Sequence, residues 1–145
     1  MHRGAPFRQR RGLAMKRVLL DTSAYTALLT GDQDVFRLLA GAETVFLSVI
    51  VLGELYAGFR GGRQEQKNRE VLASFLAKPT VKILPVMQDT AEIFGRIKDS
   101  LRRAGTPIPI NDVWIASQAM EAGAQVITYD RHFNKVNGLI LWDKI

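Results

Sequence analysis

Short apolar segments alternate with longer segments of helical periodicity along almost the whole chain. Four of the apolar segments have the length of strands and lie at residues 17–21, 44–47, 81–84 and 125–128. The intervals between them repeat apolar residues at spacings of three and four, which is typical of helices. Because a strand that returns to the same sheet in parallel needs a crossover helix, this alternation predicts a parallel sheet with helices on both faces.

Six helices are predicted in the intervals. Thr22 or Ser23 is expected to cap the first, and Ser48 is expected to cap the third, because hydroxyl side chains accept bonds from the free N–H groups of a helix start. A short fifth strand is predicted at residues 139–142. The predicted helices span residues 22–30, 32–39, 49–59, 64–77, 88–104 and 111–122.

The net charge of +6 is unevenly distributed along the chain. Residues 1–14 contain four arginines and no acid, which leaves 16 basic and 14 acidic residues in the rest of the chain. The predicted domain at residues 15–145 is therefore only mildly basic, and its charge alone does not indicate a phosphate-binding body. Residues 1–14 have no apolar stretch to pack, so we interpret them as a disordered basic extension or as a start assigned upstream of Met15.

The composition also excludes some classes of protein and site. The chain has no cysteine, which excludes disulfides and thiolate metal sites and agrees with the reducing cytoplasm. No apolar run approaches the roughly 20 residues that a helix needs to cross a bilayer. We therefore expect a cytoplasmic protein with no membrane segment.

Four acidic residues fall at or near the carboxyl ends of predicted strands, where ligands bind to sheets of this type. Asp21 ends the first strand, Glu54 lies in the helix after the second, Asp112 opens the last helix and Asp130 follows the fourth strand. Three of them have a structural alternative when they are taken singly. Asp21 can cap a helix, Asp112 can interact with the helix dipole and Asp130 can form a turn.

Glu54 is harder to explain structurally. It lies in an apolar helix at residues 49–59, where an ionised carboxylate needs a partner or a metal ion. The alternative is a salt bridge to a buried Lys or Arg, but the sequence offers no basic residue in a comparably apolar setting.

Taken together, the four acids indicate a metal site. Carboxylates that converge at one edge of a sheet repel each other unless cations neutralise them. Mg²⁺ and Mn²⁺ prefer oxygen ligands, and two such ions are commonly used to attack a phosphodiester with water.

The motifs that carry the acids resemble the signature motifs of the PIN domain, in the same order: LLDTSA, GELYAG, INDVWIAS and ITYDRHF. Residues 91–123 are especially similar to the VapC branch, the ribonuclease toxins of toxin–antitoxin pairs. The resemblance covers residues 15–145. It implies a PIN-like three-layer α/β sandwich, whose parallel sheet has four to five strands in the order 3-2-1-4-5.

The resemblance also implies roles for individual residues. Asp21 and Asp112 correspond to the principal metal ligands, and Glu54 and Asp130 to the other catalytic acids, which are possible ligands. The implied cofactor is Mg²⁺ or Mn²⁺, with two ions during catalysis, and the implied substrate is RNA. A VapB-like antitoxin and a second copy of the chain are the implied partners. The supporting polar positions are Thr22, Ser23, Asn111 and Thr128.

Other classes of protein fit this pattern of acids less well. A receiver domain needs paired acids after its first strand, and only Asp21 is present there. A haloacid-dehalogenase-type phosphatase needs a second Asp two residues later, where this chain has Ser23. An inert or housekeeping PIN-domain protein that binds RNA or a partner remains the alternative, although the acids are intact. His2 and His132 are too few for a zinc site, and we interpret His132 as a surface residue beside the acids.

Overall fold

The computed structural model describes residues 16–142, so the predicted extension at residues 1–14 lies outside it. Within these residues the fold is an α/β sandwich with six α-helices around a four-stranded parallel sheet in the order β3-β2-β1-β4. The strands are β1 (Arg17–Leu20), β2 (Thr44–Ser48), β3 (Val81–Leu84) and β4 (Gln125–Ile127), and the helices are α1 (Thr22–Leu29), α2 (Gln33–Ala40), α3 (Val49–Phe59), α4 (Glu65–Leu76), α5 (Gln88–Ala104) and α6 (Ile110–Ala122).

The predicted fold class is confirmed, and each of these elements ends within one residue of its prediction. The expectation that Thr22 or Ser23 caps α1 was wrong: Asp21, for which capping was the structural alternative, is the capping residue and accepts the N–H of Ala24. Thr22 and Ser23 lie inside the helix, because the carboxylate one position earlier already reaches the free N–H group.

The predicted fifth strand is reduced to one bridge, which pairs Leu141 with Val126 in parallel. It lies beside β4, where the expected strand order places it, but β4 is only three residues long and offers few partners. A 3₁₀ helix at Arg131–Lys135 precedes this bridge and was not predicted. Its five residues are too short for a periodic pattern to show.

The packing of the central strand, β1, fixes the residue that follows it at the carboxyl edge of the sheet. Val18, Leu19 and Leu20 of β1 are at most 1% exposed, because β2 and β4 flank the strand and helices cover the sheet. A strand buried on both faces cannot slip by one residue without losing its packing. The position of Asp21, which follows directly, is therefore fixed by the core.

A buried polar network joins the elements that lead to this edge. The side-chain amide of Gln118, on α6, donates to the carbonyl oxygens of Leu84 and Pro85 at 3.1 Å each. Its oxygen accepts the hydroxyl of Ser48, which as predicted also caps α3 by accepting the N–H of Ile50. The network thus connects the ends of β2 and β3 with α3 and α6, the helices that carry Glu54 and Asp112.

No helix in residues 16–142 combines the length and the apolar character that crossing a membrane requires.

Replacing Gln118 by Leu should lower the free energy of unfolding by about 2–3 kcal/mol, measured by urea denaturation. The leucine fills a similar volume but leaves the Ser48 hydroxyl and two carbonyl oxygens without their partner. Gln66, an exposed glutamine on α4, provides the control, and its replacement by Leu should change stability by less than about 0.5 kcal/mol. Equal effects of the two substitutions would contradict the structural importance of the network.

Candidate metal centre

Asp21 lies at the end of the central strand and is only 5% exposed. Three neutral donors bond to its carboxylate: the Ser23 hydroxyl at 2.8 Å, the Ala24 N–H at 2.9 Å and the Thr128 hydroxyl at 2.5 Å. Leu20, the last residue of β1, pairs with Ile127, the last residue of β4. Asp21 and Thr128 follow these two residues and therefore lie next to each other. The carboxylate is therefore held in one orientation, and no Lys or Arg within residues 16–142 forms an ion pair with it.

This environment changes the acidity of Asp21. Burial raises the pKa of its carboxyl group above the ordinary value, although the bonds from Thr128, Ala24 and Ser23 act in the opposite direction. The negative charge of Asp130 raises the pKa further. Asp21 and Asp130 are thus close enough to interact electrostatically.

Asp112, Asp130 and His132 form a compact group, in which one potential ligand atom from each residue lies within 4.8 Å of the others. The Nδ1 atom of His132 lies 3.1 Å from Oδ2 of Asp112 and 2.9 Å from Oδ1 of Asp130. Asp130 also caps the 3₁₀ helix, because it accepts the N–H of His132 at 2.9 Å. Thr128 links this group to Asp21, since its hydroxyl accepts the N–H of Asp130 at 2.8 Å.

Asp112 lies in the first turn of α6, and its side chain is 14% exposed. Burial raises the pKa of its carboxyl group, and so do the negative charges of Asp130 and Asp21. The bond and the charge of His132 act against this rise. Three of the four predicted acids therefore influence one another at this edge.

Glu54 is half-buried on α3 and is held differently from the other acids. One of its oxygens accepts the hydroxyl of Thr22 at 2.5 Å, and the other accepts the side-chain N–H of Asn111 at 3.1 Å. Among the described residues, no Lys or Arg forms an ion pair with Glu54, so the alternative of a buried salt bridge is not observed. Thr22 and Asn111 directly adjoin Asp21 and Asp112, so Glu54 joins the backbone segments that carry those acids.

The structure brings the predicted residues together to different degrees. Asp112 and Asp130 contact the same imidazole, whereas Asp21 and Glu54 are not part of the compact group found among residues 16–142. From its position in the sequence, His132 was expected to be a surface residue beside the acids, without a role in the chemistry. The only feature of the sequence that could have indicated its contact with the acids is that it lies two residues after Asp130. Each of the four supporting polar residues donates a bond to one of the predicted acids: Thr22, Ser23, Asn111 and Thr128.

The side chains present fit a divalent cation. Carboxylate oxygens suit Mg²⁺ and Mn²⁺, and a cation would relieve the repulsion that Asp21, Asp112 and Asp130 exert on one another. An imidazole nitrogen is a further possible donor.

Comparison with known proteins agrees with the resemblance seen in the sequence. The family model of the PIN domain matches residues 18–139. Ribonuclease VapC5 of Mycobacterium tuberculosis is 31% identical over 120 residues, which are 83% of this chain and 87% of that protein. Ribonuclease VapC2 of Rickettsia felis is 29% identical over 133 residues, which are 87% of this chain and 98% of that protein.

Solved structures show the same likeness. A DNA-bound VapBC from Salmonella typhimurium has a TM-score of 0.77 at 26% identity, and the match covers 88% of this chain and 98% of that chain. VapBC2 from Rickettsia felis, bound to a DNA fragment from its promoter, has a TM-score of 0.76 at 28% identity. That match covers 87% of this chain and 98% of the other.

Neutralising Asp112 should stabilise the metal-free protein. Because the pKa of Asp112 is raised, its folded form holds a proton more tightly than the unfolded chain does, so stability is lost as the pH rises through that raised pKa. In EDTA at pH 7–8 we expect Asp112→Asn to melt about 2–5 °C above wild type. Asp21→Asn should follow in the same direction, since Asn also serves as a helix cap.

Melting curves with EDTA and with Mg²⁺ or Mn²⁺ check this expectation, and Glu92→Gln on the exposed surface of α5 provides the control. Added metal should stabilise wild type more than either Asp→Asn variant, because binding to the native state adds to its stability. A variant that melts lower in EDTA and still gains fully from metal would contradict the site.

Proposed function

Because the chain belongs to the PIN domain family, we propose that it is a metal-dependent endoribonuclease and the toxin of a VapBC-type toxin–antitoxin pair. The observation that carries the proposal is the group of Asp112, Asp130 and His132, with the buried carboxylate of Asp21 linked to it through Thr128. The similarity to ribonucleases named VapC supports RNA as the substrate.

The proposed cofactor is Mg²⁺ or Mn²⁺, with two ions during catalysis. Such cations activate water as a nucleophile and stabilise the leaving oxygen of a phosphodiester. Asp21 and Asp112 are the proposed principal ligands, and Asp130 is a further one. Glu54 completes the proposed catalytic set.

The neutral residues around these acids would orient them for the reaction. Thr128 and Ser23 donate to Asp21 and so leave its carboxylate ionisable without adding a competing positive charge. Thr22 and Asn111 fix Glu54 between the starts of α1 and α6. Side chains that are already oriented contribute to catalysis because the site does not have to reorganise when substrate binds.

Purified protein should cut single-stranded RNA internally and leave a 5′ phosphate and a 3′ hydroxyl, which mass spectrometry of the products can identify. EDTA should abolish cleavage, and Mg²⁺ or Mn²⁺ should restore it. Asp21→Asn and Asp112→Asn should each reduce the rate at least about 100-fold, whereas Glu92→Gln should retain it. Products with a 2′,3′-cyclic phosphate, or activity that persists in EDTA, would contradict the metal-dependent mechanism. A folded protein that cleaves no RNA would favour the inert alternative.

The proposed partners are a VapB-like antitoxin and a second copy of the chain. The likeness to VapBC complexes supports the antitoxin. The cluster of carboxylates also supports it, because an anionic cleft attracts a cationic side chain of a partner. The proposed location is the cytoplasm, where such a pair acts on cellular RNA.

Expression of the protein alone should arrest bacterial growth, and co-expression with its antitoxin should restore it. The Asp112→Asn variant should be harmless while it still binds the antitoxin, which separates toxicity from assembly. Growth counts report toxicity, and analytical ultracentrifugation reports the complex and the dimer of the free protein. Normal growth of cells that contain soluble, RNA-cleaving protein would contradict the toxin role, and a monomer at micromolar concentration would contradict the dimer.

A further inference from the structure

We propose that His132 ligates the divalent cation through its imidazole and thereby gives the site a preference for Mn²⁺ over Mg²⁺. This inference rests on the metal-dependent function proposed above and concerns the same site. It assigns a ligand that the four-acid pattern of the sequence does not contain.

The first observation is the position of one ring nitrogen. Nδ1 of His132 faces carboxylate oxygens of both Asp112 and Asp130, at 3.1 and 2.9 Å. A single proton on Nδ1 can point at only one of these oxygens at its best angle, so the contact does not satisfy both acids equally. A nitrogen and two oxygens that converge in this way also form a donor set for one cation, as the mutual separation within 4.8 Å indicates.

The second observation is that the backbone holds the imidazole in place. The backbone N–H of His132 donates to Asp130, which caps the 3₁₀ helix that contains His132. Phe133, the next residue, is completely buried and anchors the turn in the core. The side chain of His132 is 44% exposed, so the ring lies at the surface of the site.

The chemistry of the donor set gives the expected selectivity. Mg²⁺ strongly prefers oxygen and keeps several of its waters, whereas an imidazole nitrogen is better accepted by transition metals such as Mn²⁺. If His132 only oriented the two carboxylates through hydrogen bonds, its removal would weaken the binding of Mg²⁺ and of Mn²⁺ to a similar extent. A direct bond to the metal predicts unequal effects instead.

Pulsed electron paramagnetic resonance of the Mn²⁺-loaded protein tests the bond directly, because an imidazole nitrogen bound to Mn²⁺ modulates the signal. The chain has only two histidines, His2 and His132, so a matched pair of variants assigns the nitrogen. We expect the nitrogen modulation in wild type and in His2→Gln, and its loss in His132→Gln. Absence of the modulation from wild type, or its persistence in His132→Gln, would overturn the inference.

Isothermal titration of the metal-free protein with each ion gives the second readout. His132→Gln should weaken Mn²⁺ binding about tenfold or more and Mg²⁺ binding by less than about threefold. Equal losses for the two ions would also overturn the inference. The test of this inference can be separated from the test of the proposed function. RNA cleavage without the nitrogen signal would contradict only this inference. The nitrogen signal without RNA cleavage would contradict only the proposed function.

Discussion

Mutual repulsion among the carboxylates at the edge of the sheet is the constraint on which the arrangement of this protein depends. Asp21, Asp112 and Asp130 are close enough for their charges to raise the pKa of a neighbour, yet within residues 16–142 no Lys or Arg pairs with them. Hydroxyl and backbone N–H donors hold Asp21 instead, and the imidazole of His132 contacts Asp112 and Asp130. A cationic side chain would relieve the repulsion, but it would occupy the position of the proposed metal ion.

The parallel sheet makes this solution possible. The register of β1 and β4 places Thr128 beside Asp21, and the hydroxyl of Thr128 both donates to Asp21 and accepts the N–H of Asp130. One threonine therefore connects the acid of the central strand to the acid that caps the 3₁₀ helix. On the other side, the bonds of Gln118 to the ends of β2 and β3 hold α6 and with it Asp112.

Most of the fold, and the proximity of Asp112 and Asp130, could be predicted because the signals are local. β1 is apolar throughout, and the acids lie in short motifs of recognisable order. Thr22 or Ser23 was expected to cap α1 because Asp21 had been assigned to the strand, but β1 ends at Leu20 and Asp21 is the cap. The contact between His132 and Asp112 could not be predicted for another reason: a lone histidine after an acid has no periodic pattern, and the contact joins residues twenty positions apart. Only the folded chain shows that contact.

The hydrogen bonds of Glu54 separate its contribution from that of the other acids. Both of its carboxylate oxygens accept bonds from residues that precede or follow another acid, and the compact donor group does not include it. The apolar surroundings of Glu54 in the sequence indicated that its carboxylate needs a metal ion or a hydrogen-bonding partner. Thr22 and Asn111 are such partners, because each donates a hydrogen bond to it. Because these two residues adjoin Asp21 and Asp112, a displacement of Glu54 would disturb the positions of both proposed ligands. The bonds of Glu54 thus connect the starts of α1 and α6 as well as holding its own carboxylate in place.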